Sequence, residues 1–216
     1  MPIDTKVQHR MEQLLAVSED SGVRSSRLVY DAKRLWQRVQ RLIELNLTPP
    51  ELNRAAMELA CYALQLPLRQ GKGLSVGRLG QVSLRERAEQ SAELIIGVLA
   101  DCAAEELLDH TTDVLRELPA RAPKRNESKL LADAVNLDDF GITGLILQAM
   151  QLARQQVCLV EVAQGFEKRQ LYGYWEARLK DGFHFEPVRQ MARKRLEGAQ
   201  QMAGLLLAEL REDSAL

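Results

Sequence analysis

Aromatic residues are scarce, at 5% of the 216 residues, and histidine and cysteine number only three each. So few imidazoles and thiols leave little material for a zinc cluster or a disulfide framework, which need several such side chains close together. Cys61, Cys102 and Cys158 are widely spaced and odd in number, a pattern that predicts reduced, buried thiols. No window approaches the roughly 18 to 20 continuous apolar residues that a bilayer span requires. The opening Met1-Pro2-Ile3-Asp4-Thr5-Lys6 lacks the apolar stretch of a signal peptide. A cytoplasmic protein without membrane contact is therefore expected. An excess of either charge is missing too: 29 basic and 30 acidic side chains give a net charge of −1. That balance supplies no global field to draw in nucleic acid, so no nucleic-acid partner is expected.

What the chain does have is helical periodicity, within an ordinary globular balance of 46% hydrophobic and 27% charged residues. Leu28, Ala32, Leu35, Trp36, Val39, Leu42 and Ile43 recur at steps of three and four, which places them on one helix face. Thr48-Pro49-Pro50-Glu51 has the spacing of a capping box and predicts the start of a helix with the stripe Leu52, Ala55, Ala56, Leu59, Ala60, Ala63 and Leu64. Ser83-Leu84-Arg85-Glu86 repeats that spacing before Ala88, Ala92, Ile95, Ile96 and Leu99. Further amphipathic runs fall over 102–118, 130–137, 142–153 and 160–171, and the longest follows Pro187. No alternation of period two appears, so no sheet is predicted. The expected fold is all-α: one compact multi-helix domain over 1–216, with an N-terminal extension at 1–25, a core at 27–210 and a long C-terminal helix.

Two basic stretches interrupt the pattern. Residues 70–80 are glycine-rich but lack the Gly-Lys-Ser/Thr ending of a phosphate-binding P-loop, and read as a surface loop. Residues 119–126, with Pro119, Pro123, Lys124 and Arg125, read as a solvated linker or an anion-binding patch. Among the histidines, His110 suits a surface or capping role and His184 a partly buried place between Phe183 and Phe185. Asp138 and Asp139 suit the positive end of a helix starting near Gly141.

Three segments carry a family resemblance. Leu131-Ala132-Asp133-Ala134-Val135-Asn136-Leu137-Asp138-Asp139-Phe140-Gly141 is similar to a late Asp-bearing helix of the HD-domain superfamily, a helical group of metal-dependent phosphohydrolases. Leu59-Ala60-Cys61-Tyr62-Ala63-Leu64-Gln65-Leu66-Pro67 resembles that family's His-Asp helix, and Tyr30-Asp31-Ala32-Lys33-Arg34-Leu35-Trp36 its first His helix. The stretch from Gln164 to Leu210 resembles the terminal helices of one branch. The resemblance implies a metal site at Asp31, Leu64, Gln65 and Val135. Leucine and valine cannot coordinate a cation, and glutamine is a weak neutral donor. The implied protein keeps the scaffold without the reaction, with no catalytic residues and no cofactor. It acts by binding a small anionic ligand or a protein partner. An alternative implied by the same resemblance is an active phosphohydrolase with a divalent metal displaced onto Asp31 and Asp133. A third reading is a helical scaffold that forms a homodimer through its terminal helix.

The densest unusual chemistry lies between Phe166 and Glu186, where most of the aromatics crowd together with arginines and lysines. Lys168, Tyr172, Tyr174, Trp175, Arg178 and His184 are the candidate ligand-binding residues. Flat amphipathic rings and cations suit an anionic ligand, but they equally suit packing of the last helices with ion pairs at the rim.

Overall fold

The computed structural model describes residues 2–16, 27–47, 51–69, 83–153 and 156–213. Among them the secondary structure is helical throughout, with no strand. The α-helices are α1 (Thr5–Leu15), α2 (Arg27–Ile43), α3 (Arg54–Ala63), α4 (Leu84–Leu99), α5 (Glu105–Glu117), α6 (Asn126–Asp139), α7 (Ile142–Ala153), α8 (Leu159–Leu171), α9 (Tyr174–Asp181) and α10 (Glu186–Asp213). A short 3₁₀ turn, Leu66–Arg69, follows α3. The chain forms two compact units, and the boundary between them falls inside α6, between Ala134 and Val135.

The first unit is built around α3, which packs against α1, α2, α4 and α5. Every residue from Ala56 to Pro67 is buried, so beyond its first two residues this helix has no outer face. A helix apolar on nearly all sides belongs in the middle of a bundle. Its start differs from the sequence expectation. The helix begins at Arg54, where the Asn53 side chain accepts from the Ala56 amide at 3.0 Å, whereas Glu51 and Leu52 precede it without helical structure. Asparagine binds a free amide of the first turn as well as threonine does, so the later cap sets the boundary. Thr48, Pro49 and Pro50 lie outside the described residues, as does the glycine-rich stretch 70–80.

The segment expected as an N-terminal extension contributes α1, whose Val7, Met11 and Leu15 are buried. Polar contacts fix its docking. The Ile3 amide donates to the Glu58 carboxylate at 3.1 Å, and the Tyr62 hydroxyl donates to Glu12 at 3.2 Å. Lys33 reaches Glu12 from α2 at 2.9 Å. Ser83 caps α4 as its spacing predicts, accepting from the Glu86 amide at 3.4 Å. In the basic linker the Glu117 carboxylate accepts from the Lys124 and Arg125 amides at 3.0 and 2.9 Å, and Arg125 pairs with Asp113. Its own acids thus occupy that linker.

The second unit contains the last four helices and the end of α6. The long α10 buries Val188, Ala192, Leu196, Ala199, Ala203 and Leu207, one stripe at steps of three and four, and packs against α7, α8 and α9. Asp138 and Asp139 are the last residues of α6, and the Asp139 carboxylate accepts from Arg178 at 2.8 Å rather than from the amides of the next helix. A guanidinium gives that carboxylate a stronger partner than free helix amides do. Gly141 then turns the chain with φ of 93°, a conformation that a side chain disfavours. The thiols are free but not uniformly buried: Cys61 is buried, Cys102 is partly covered and Cys158 is exposed at the start of α8.

Candidate functional site

In the second unit, short helices bring sequence-distant aromatics and cations together. The α8–α9 connection is Gly173, whose left-handed backbone (φ 66°) turns the chain sharply at no steric cost. Trp175 on α9 consequently lies against Phe140, Phe166 and Tyr174, at ring separations of 5.3, 5.4 and 5.1 Å. Phe183 packs on the other side of Phe140 at 5.3 Å. The edge-on and tilted arrangements are those favoured by the charge distribution of aromatic rings.

Two arginines sit in this box. Arg178 donates to Tyr174 Oη at 3.0 Å, Asn136 Oδ1 at 2.9 Å and Asp139 Oδ2 at 2.8 Å. Asn136 in turn donates to the Gly182 carbonyl at 2.6 Å, which fixes its amide. Burial weakens the hold of Arg178 on its proton, but Asp139 and Tyr174 outweigh it and raise the pKa. Arg178 is a satisfied cation.

Arg169 is different. It is only 4% exposed, and its guanidinium carbon lies 5.4 Å from the Trp175 ring, 5.9 Å from Tyr174 and 6.0 Å from Phe166. Its Nε donates to the Gly165 carbonyl one turn back, at 3.2 Å. Among the described residues no carboxylate forms an ion pair with it, and the buried Nη1 has no hydrogen-bond partner. Burial lowers its pKa; Tyr174 and Asp139 oppose that less strongly than burial acts, and nearby Arg178 adds the smallest effect, a further lowering. Trp175 Nε1, in the same cluster, is also buried without a partner. Three faces of π density account for part of the cost of burying the cation. Two orphaned donors remain, and a buried donor without an acceptor costs about 1–3 kcal/mol.

Of the six candidate ligand-binding residues, Tyr174, Trp175 and Arg178 belong to this cluster. Lys168 is exposed, Tyr172 is 84% exposed at the end of α8, and His184 is half-buried. Arg169, Asn136, Asp139 and Phe140 complete the site; the sequence placed Arg169 among the cations interleaved with the aromatics and Asp139 at a helix end, but did not bring Asn136, Asp139 and Phe140 to this cluster. They join it through the Gly173 turn and the end of α6, and neither connection has a periodic signal.

The positions implied by the family resemblance divide between the two units. Asp31 lies 3.8 Å from Arg34 on its own helix. Leu64 is fully buried and its carbonyl accepts from Arg87 Nε at 2.7 Å, while Gln65 and Asp133 are also buried. Val135 is half-buried in the second unit. Among the described residues no three histidine, cysteine or acidic side chains group as ligands for one metal ion, and no helix is long and apolar enough to cross a membrane. His110 is half-buried, with Nε2 3.6 Å from Glu127, whose carboxylate also accepts from the Asn53 amide at 3.0 Å. Comparisons with protein-family models, with curated proteins and with solved structures returned no match.

Proposed function

We propose that this chain is a ligand-binding protein, a divergent relative of the HD-domain scaffold, that holds a small anion at the arginine–aromatic cluster of its second unit. The observation that carries this reading is the pair of orphaned donors, Arg169 Nη1 and Trp175 Nε1, buried in one cluster. Buried polar groups in folded proteins are almost always paired, so an unpaired cation beside an unpaired indole N–H calls for an acceptor from outside the chain. A carboxylate or phosphate oxygen supplies that acceptor together with the counter-charge that Arg169 lacks. The surrounding rings exclude water and strengthen such a contact. Asp139 is the internal anion of the cluster; it holds Arg178 and leaves Arg169 for the ligand.

Calorimetric titration of the full chain with inorganic phosphate and, separately, acetate tests this. Saturable binding of at least one anion is expected. Arg169→Lys and Trp175→Phe, which keep the charge and the ring respectively, are each expected to weaken it about tenfold or more, the usual worth of a hydrogen bond to a charged group. Failure of both anions to bind, or unchanged binding in both variants, overturns the reading. Metal-dependent hydrolysis of phosphate esters that is lost in Asp133→Ala would replace it with the phosphohydrolase reading.

A further inference from the structure

The arginine–aromatic cluster has a charge balance that limits what it can hold. Arg169 lies against the Phe166, Tyr174 and Trp175 rings, and Arg178 is paired with Asp139 at 2.8 Å. Two guanidinium charges and one carboxylate leave a single unit of positive charge. Lys168, one residue before Arg169, is exposed to solvent, where its charge is screened. The helix ends that meet here lower the balance rather than raise it. α6 finishes at Asp139 and α8 at Leu171, each with the negative end of its dipole, while the short α9 begins at Tyr174 with its positive end. Donors are limited as well. Arg178 is engaged by Tyr174, Asn136 and Asp139, the Asn136 amide by the Gly182 carbonyl, and Arg169 Nε by the Gly165 carbonyl. The two buried donors left over, Arg169 Nη1 and Trp175 Nε1, match the two oxygens of a carboxylate.

Resting on the anion-site reading above, we infer that the ligand is a small monocarboxylic acid, held as its carboxylate by Arg169 and Trp175, and that Asp139 sets this preference. One negative charge neutralises the cluster. A phosphate dianion would leave a second negative charge without a partner among buried rings, and a buried unpaired charge is costly. Its further oxygens would also need donors that are already engaged. Asp139 is the selecting group because it cancels the charge of Arg178, so that the ligand meets one free cation and not two. The Phe140 and Phe166 rings packed on Trp175 suit an acid whose remainder is apolar.

Calorimetric titration of the full chain at about pH 8, where phosphate is mainly a dianion and acetate carries one charge, is the test. Acetate should bind about tenfold or more tighter than phosphate, the effect of one uncompensated charge at a partly screened site. Asp139→Asn keeps an oxygen for Arg178 and removes the negative charge. In that variant phosphate should gain about tenfold or more relative to acetate. Circular dichroism checks that the variant is folded, and the comparison in the parent decides the inference if it is not. Phosphate binding as tightly as acetate in the parent, or tighter, overturns the inference while the anion site stands. An unchanged ratio in folded Asp139→Asn overturns it too. Binding of neither anion removes the site itself, and this inference with it.

Discussion

Glu58 sits within the buried helix α3, where its carboxylate accepts from the Ile3 amide, and burial raises its pKa against the smaller opposing pull of that hydrogen bond. Between the unfolded pKa and the raised folded one, the folded protein therefore binds more proton than the unfolded chain. Stability falls as pH rises from the unfolded value of about 4.3 through the folded one, and the full penalty is present at neutrality. Glu58→Gln keeps an oxygen for the Ile3 amide and cannot ionise. Its thermal midpoint should exceed that of the parent by about 2 °C or more at pH 7, and the two should converge below pH ~4, as followed by circular dichroism. Glu12 carries the opposite sign. Burial raises its pKa, but Lys33, Gln8 and Tyr62 together outweigh it, so its contribution is present above the unfolded value and is lost as pH falls through the folded one. Individual residues were the least legible part of the sequence. Tyr174, Trp175 and Arg178 stood out because aromatics are rare enough for a cluster to show, whereas Arg169 stood among several interleaved cations with nothing to separate it from exposed Lys168. Its burial depends on a turn at Gly173 that periodicity does not record.

At the scale of the element, the α6–α7 corner is where local rules invert. An exposed helical glycine normally gains about 0.5–1 kcal/mol on replacement by alanine. A methyl group at Gly144 would lie 2.5 Å from the Asp139 carbonyl oxygen and 2.6 Å from that of Asp138, both backbone atoms. Gly144→Ala should therefore destabilise by about 1–3 kcal/mol, while Gly204→Ala, with open space around it in α10, should stabilise. Urea denaturation of the two variants measures both signs in one experiment. Helices were the most legible level: the stripes of α2, α4, α5, α7, α8 and α10 follow from steps of three and four residues. The start of α3 was misplaced because two caps compete within six residues and both have the right chemistry. Short α9 was hidden within the aromatic cluster, as eight residues hold barely two turns of pattern.

At the scale of the molecule, nothing in composition or periodicity marks the division into two compact units. Domain boundaries announce themselves through loops rich in glycine, proline or polar residues. Here the boundary falls within the unbroken helix α6, whose composition does not change at Ala134. The thiols offer a reading of each unit by itself. Under native conditions Cys158 should be alkylated first and Cys102 more slowly. Cys61, buried within α3 with its pKa raised chiefly by that burial, should react only on unfolding of the first unit. Mass spectrometry of a timed iodoacetamide reaction resolves the order; early labelling of Cys61 would mean that α3 opens. The same helix has a wider consequence. A segment enclosed on every side has no position where a side chain can drift freely, since adding volume strains the packing and removing it leaves a void. Between Ala56 and Leu66 the sequence is thus constrained in size more than in letter. Distant kin of this protein should be recognisable there by a conserved series of side-chain volumes, long after the charged residues around it have been exchanged.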